Sequence, residues 1–193
     1  EVPGRDEKWK EETIRNTSEG QFQTEFECEF LGSVDTLISA SKLKTMAVAK
    51  PKRSGGLDVY DMPVKGNIYT MAVDVSRGLS EDYSAFVVFD CTKAPYKVVA
   101  KYRDNEIKPL LFPSIIERVA KHYNNAYVLI EINDLGQQVA DNLQFEIEYD
   151  NVMMCTQRGR SGQVLGGGFS GRGNQLGLRM TKGTKRIGTS NLK

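Results

Sequence analysis

Ile68-Tyr69-Thr70-Met71-Ala72-Val73-Asp74-Val75-Ser76 is an apolar, strand-forming run that carries one carboxylate near its end and breaks at Gly78. Ala126-Tyr127-Val128-Leu129-Ile130-Glu131-Ile132-Asn133 repeats the pattern, with Glu131 near its end and Gly136 as the break. β-Branched and aromatic residues in such short runs favour a pleated strand. A carboxylate inside one is costly to bury unless a cation meets it. If the two strands lie side by side and parallel, their acids converge at the carboxyl ends, where open α/β sheets build sites. Converging acids that no side-chain cation neutralises point to a divalent metal. The alternative is that Asp74 closes a turn and Glu131 caps the helix that follows.

The segments around these runs supply the topology. Residues 83–90 and 97–103 read as strands, joined to the first by connections short enough for an antiparallel meander. Pro109-Leu110-Leu111-Phe112-Pro113 then opens a helix with Ile115, Ile116, Val119 and Tyr123 on one face. A strand-helix-strand crossover returns the strand at 126–132 parallel to the third strand, and hence to the first. It can pair with the first strand's free edge, which makes Asp74 and Glu131 neighbours. A second helix from Asp134, with Leu135, Val139 and Leu143 on its stripe and Asp134 as its cap, leads to a short strand at 151–155. The expected class is α/β, with a mixed five-stranded sheet flanked by helices.

Outside this core the composition changes twice. Residues 1–50 read as a helical piece: Trp9, Ile14, Phe22, Phe26 and Phe30 form an apolar stripe, and a second helix runs over 34–49 with Ser33 or Asp35 as cap. Residues 51–66 have linker composition, and 67–193 hold the α/β domain with a Gly-rich loop at 156–185. No apolar stretch approaches a membrane span and no signal segment opens the chain, so it reads as soluble and intracellular. Cys28, Cys91 and Cys155 are odd in number and far apart, which indicates neither a disulfide framework nor a zinc cluster. His122 is the only histidine, and it reads as a residue of a polar helix face.

The net charge of +1 conceals a segregation. No Asp or Glu follows Asp150, whereas Arg158, Arg160, Arg172, Arg179, Lys182, Lys185, Arg186 and Lys193 do. All 25 acidic residues therefore lie in the first 150 positions. An acidic body with a basic end suits a polyanionic partner, since phosphate backbones are held mainly by such charge. The alternative is a solvated basic loop.

Ala72-Val73-Asp74-Val75-Ser76-Arg77-Gly78, Asp82-Tyr83-Ser84-Ala85 and Ile130-Glu131-Ile132-Asn133 together resemble the C-terminal nuclease domain of the large terminase subunit of T-even-like tailed bacteriophages. That domain is of the ribonuclease H-like, integrase-like superfamily. Trp9-Lys10-Glu11-Glu12-Thr13, Gln23-Thr24-Glu25-Phe26 and Phe30-Leu31-Gly32-Ser33 are similar to the end of the preceding ATPase region. The resemblance implies a metal-dependent endonuclease that cuts concatemeric double-stranded DNA with two Mg²⁺ or Mn²⁺ ions held by three acids. Asp74 matches the first acid and Glu131 the second. The third, an aspartate on a later helix, has no counterpart here, so the C-terminal part of the domain is expected to lie outside this sequence.

The resemblance also implies the remaining assignments. Asp82 reads as loop-stabilising rather than ligating. Arg158, Arg160, Arg172, Arg179, Lys182, Lys185 and Arg186 are the implied DNA contacts. Implied partners are the ATPase domain of the same protein, a portal and a small terminase subunit, with no membrane, in the host cytoplasm during virus assembly. Other readings are a DNA-gripping module of the packaging motor and another ribonuclease H-like nuclease, such as a junction resolvase. Gly166-Gly167-Gly168-Phe169-Ser170-Gly171 satisfies G-x-G-x-x-G without opening a βαβ unit, which excludes dinucleotide binding there. The Walker spacing is absent, so ATPase activity is expected only in the preceding domain.

Overall fold

Alternation sets the central strands. In the computed structural model, which describes residues 6–19, 22, 42, 45–46, 48–80, 82–157, 163–166 and 174–192, the chain divides into an N-terminal unit up to Val48 and a second unit from Ala49 to Leu192. The first unit contains α1 (Glu7–Asn16), capped by Asp6, whose side chain accepts a hydrogen bond from Trp9 N at 2.9 Å. Trp9 packs on Phe22 with ring centroids 5.7 Å apart, the first contact of the expected stripe. Phe26, Phe30 and most of the expected second helix lie outside the described residues.

The second unit is built on a five-stranded sheet of β1 (Leu57–Val59), β2 (Tyr69–Asp74), β3 (Ser84–Asp90), β4 (Lys97–Asp104) and β5 (Tyr127–Ile130). Their spatial order is β1-β4-β3-β2-β5. Tyr69, Met71 and Val73 of β2 face the core with Phe86 and Val88 of β3, while Thr70, Ala72 and Asp74 face the other way. A bulge between Val88 and Phe89 shifts the register against β4 and allows the consecutive Val99 and Ala100 both to be buried.

From β4 the chain crosses through α2 (Phe112–His122), whose Phe112, Ile116 and Val119 are buried in the core, as is Tyr123 just beyond it. Tyr123 meets Tyr69 edge-on at 5.2 Å, and Phe112 stacks near Phe86 at 6.2 Å. The crossover brings β5 back parallel to β2, as expected. His122 ends α2 rather than sitting within it, and it is exposed.

Four expectations change. The fifth strand of the sheet is β1, within the Gly-rich stretch of linker composition, where Leu57 and Val59 pair antiparallel with β4. The stretch at 151–155 touches β5 through one parallel bridge, Val128 to Val152, and then leaves as β6 (Met154–Gln157) for a second sheet. That sheet, ordered β7-β6-β8 with β7 (Gln163–Gly166) and β8 (Asn174–Leu176), draws its strands partly from what composition reads as a loop. Glycine density hides the alternation of short strands, because it weakens local propensity without forbidding pairing. The helix after β5 starts at Gly136 as α3 (Gly136–Asp141) and widens into a π-helical turn over Asn142–Glu146. Its cap position is Leu135, and no side chain caps it.

Candidate metal centre

Strand register places the two acids together. β2 and β5 are paired in parallel up to Val73 opposite Ile130, and Glu131 N donates to Val73 O at 2.9 Å. The next residues on each strand are Asp74 and Glu131, at the same height on the carboxyl ends. Asp74 is exposed on the open sheet face, so the burial cost applies to Glu131, which is half-buried. Burial, then the Asp74 charge, push the Glu131 carboxyl above the ordinary glutamate range, while Lys185 opposes them.

Backbone packing fixes Glu131. Gly136 begins α3 so close to β5 that a Cβ there would lie 1.8 Å from Glu131 O. Only glycine fits that approach. On the other side, Gly177 adopts φ of 72° and lets the chain turn from β8 onto the end of β5, where Leu178 N donates to Ile130 O and Ile132 N donates to Leu178 O. Asn133 secures the junction at two points: its Nδ2 donates to Met180 O at 2.8 Å, and its Oδ1 accepts from Met180 N at 3.0 Å. These bonds set the start of α4 (Lys182–Leu192), which carries Lys185 within electrostatic reach of Glu131.

Asp74 borders two depressions. One is a cleft of about 500 Å³ lined with Ser76, Arg77, Asp82, Tyr83 and Asp134. The other is an apolar groove along the open sheet face, lined with Ala72, Ala85, Val87, Leu129 and Met180 and bounded by Glu131. Asp134 is not a helix cap. Its residue takes φ of 51°, and its carboxylate receives Arg77 Nε at 2.8 Å and Nη2 at 3.2 Å, a bond that holds its pKa below the usual aspartate range. Beneath the loop, Ser84 Oγ accepts from Ser76 N at 3.0 Å, so the serine of the Asp82-Tyr83-Ser84 run is a buried brace.

Among the described residues no set of three His, Cys, Asp or Glu side chains converges on one point. Asp74 and Glu131 remain a two-carboxylate, all-oxygen donor set, which fits a hard divalent cation as part of its shell. Arg179, Lys182, Lys185 and Arg186 lie on the exposed start of α4 and the segment before it. Arg158, Arg160 and Arg172 lie outside the described residues. Sequence reading missed the Arg77–Asp134 pair and the Asn133 clamp; the break at Gly136 was the visible sign of the close approach.

Like charge at the site has a thermodynamic signature. In metal-free protein the folded state holds a proton on Glu131 that the unfolded chain has already released, through the window just above the ordinary glutamate pKa. Stability therefore falls as pH rises through that window. Glu131→Gln removes this slope and raises the neutral-pH Tm in EDTA, with the gain vanishing in acid. Thermal melting at several pH values checks it, and a lower neutral-pH Tm in the variant would contradict the assignment.

The family model of the terminase RNaseH-like domain matches residues 71–190, more than half of the chain and all of the site. The chain belongs to the terminase RNaseH-like domain family. Among solved structures it is similar to the large terminase nuclease of the thermophilic phage G20c with bound magnesium, at 18% identity and a TM-score of 0.56 over 78% of this chain and 65% of that one. The cobalt-bound form of that nuclease matches at 18% identity and a TM-score of 0.55, over 78% and 64%. The family match gives the fold as ribonuclease H-like, and the likeness to these structures agrees with it. The terminase-family chain described here spans about 65% of the length of that nuclease chain.

Proposed function

We propose that this domain is a divalent-metal-dependent DNA endonuclease of a viral packaging terminase, acting on double-stranded DNA. The observation that carries it is the pair Asp74 and Glu131, set by register at one height on adjacent parallel strands, with Glu131 raised by burial and by its neighbour. The G20c nuclease has crystal structures with bound magnesium and with bound cobalt, which supports divalent-ion binding by a domain of this fold. Mg²⁺ or Mn²⁺ is the expected ion, because both carboxylates are hard oxygen ligands. When bound, such ions polarise the phosphate and lower the pKa of an attacking water.

The chain's own residues do the rest. Asp74 and Glu131 would supply ligand oxygens, and the Gly136 contact keeps Glu131 at a fixed height on the strand. Lys182, Lys185, Arg186 and Arg179 attract the DNA backbone without reading sequence. Lys185 also moderates the negative charge at Glu131, which eases approach of a phosphate. Arg158, Arg160 and Arg172 extend this basic surface in the proposal, on sequence grounds alone. The T-even type, the preceding ATPase domain, the portal and small subunit as partners, and action in the host cytoplasm belong to the same reading and rest on the quoted motifs.

The test is nicking of supercoiled plasmid by the protein that carries this domain. Cleavage should appear with Mn²⁺ or Mg²⁺ and vanish in EDTA; equal cleavage in EDTA overturns the reading. A DNA-gripping role is favoured separately by the basic start of α4. It predicts salt-steep DNA binding that survives loss of both acids.

A further inference from the structure

A single row of side chains crosses the open face of the sheet. Arg103 on β4 stands opposite Ala85 on β3, and Ala85 stands opposite Asp74 on β2. Directly opposed residues of an antiparallel ladder share a face. Arg103 and Asp74 therefore lie on one face, separated by the methyl group of Ala85 and by two strand spacings, about 10 Å. The parallel row beside it runs Lys101, Val87, Ala72, Leu129, so it is apolar from Val87 to β5.

The two cations on these rows differ in what they touch. Lys101 is engaged with Asp58 at 3.4 Å and lies 6.0 Å from the Tyr60 ring centre. Arg103 forms no ion pair at that range among the described residues; its guanidinium lies over the Tyr83 ring, 5.3 Å from the centre. Tyr83 is 48% exposed and lines the cleft beside Asp74. A guanidinium laid on an aromatic face keeps its edge donors available for a two-point contact with a phosphate.

We propose that Arg103 binds a backbone phosphate of the DNA strand being cut, a few nucleotides from the phosphate at Asp74 and Glu131, with Tyr83 as the positioning residue that holds the guanidinium over Ala85. The proposal rests on the nuclease reading. Asp74, Asp82 and Glu131 repel a polyanion, so the strand needs cations on both flanks of the acids. α4 provides them beyond Glu131, and Arg103 provides one on the β4 side. With the reach of the arginine side chain, that span of two strand spacings takes in a nearby phosphate of the same strand. Ala85, with its small side chain, leaves room above the sheet for that strand to cross.

The experiment is fluorescence anisotropy with a labelled DNA duplex, titrated with the full-length protein that carries this domain in Ca²⁺ at several salt concentrations. Arg103→Ala should raise Kd about five- to tenfold and reduce the slope of log Kd against log salt by about 1. Tyr83→Ala should reproduce part of the loss, and Tyr83→Phe, which keeps the ring, should bind like the wild type. Arg103→Lys should keep the slope while losing part of the affinity. Unchanged melting of each variant separates these effects from misfolding. Wild-type Kd and slope in Arg103→Ala, beside cleavage that Asp74→Ala abolishes, overturns the Arg103 contact alone. Absence of both duplex binding and cleavage in the wild type overturns the nuclease reading with it.

Discussion

Asp74→Ala and Glu131→Ala each lower metal-dependent DNA cleavage by about a thousandfold or more, while leaving the fold intact. The magnitude follows from the several kcal/mol that metal-ion catalysis contributes, at 1.36 kcal/mol per tenfold in rate. Neither substitution opens a cavity: Asp74 is exposed on the open sheet face, and Glu131 is only half-buried at the end of its strand. Both relieve like-charge repulsion, so neither variant should melt below the wild type in EDTA. The combination of lost cleavage with undiminished stability distinguishes a functional pair from a structural one. Single-turnover assays with saturating Mn²⁺ read the first property. The two acids act as a unit, so the double variant should cut no more slowly than the weaker single one. If both single variants retain wild-type rates, the carboxylates are not the site.

Gly136→Ala is the second large effect, and it acts through the backbone. A Cβ at this position meets Glu131 O at 1.8 Å and Glu131 C at 2.8 Å. No rotamer relieves a clash between a Cβ and main-chain atoms. Either α3 lifts from the sheet, pulling Val139, Ala140 and Leu143 from the core, or β5 shifts its end with Glu131. Overpacking of this kind costs about 3 kcal/mol, which lowers Tm by roughly 6–12 °C in a domain of this size. Cleavage should fall more steeply than stability, because displacement of Glu131 by a fraction of an ångström already spoils a shared ligand site. Thermal melting and cleavage below the lowered Tm measure the two losses separately. A variant with unchanged Tm would show that α3 does not approach β5 this closely.

The sequence discloses the parts of the molecule that obey a period. Tyr69, Met71 and Val73 alternate with Thr70, Ala72 and Asp74, so β2 and its two faces are legible; Val128 and Ile130 do the same for β5. The crossover through α2 follows from helix spacing and chirality, and with it the adjacency of Asp74 and Glu131. Asp74 nevertheless looks buried from its neighbours alone, because Ala72 and Val75 make the run apolar whichever face each residue takes. Three-residue strands such as β1 and β8 are too short for alternation to register, and glycines around β7 and β8 dilute what remains. Long-range polar pairs are the least accessible: Arg77 and Asp134 lie 57 residues apart, and nothing local marks them as partners. Asn133 and Met180 are similarly linked only through the fold. The row from Arg103 through Ala85 to Asp74 needs two registers at once, one of them beyond a bulge.

If Glu131 and Asp74 share one divalent ion, a crystal of the protein soaked in Mn²⁺ reveals it. An anomalous density peak is expected between the two carboxylates, at ordinary metal–oxygen distance from both and absent from a Glu131→Ala crystal soaked alike. Manganese bound elsewhere, with Asp74 and Glu131 unliganded in a fully occupied soak, would contradict it.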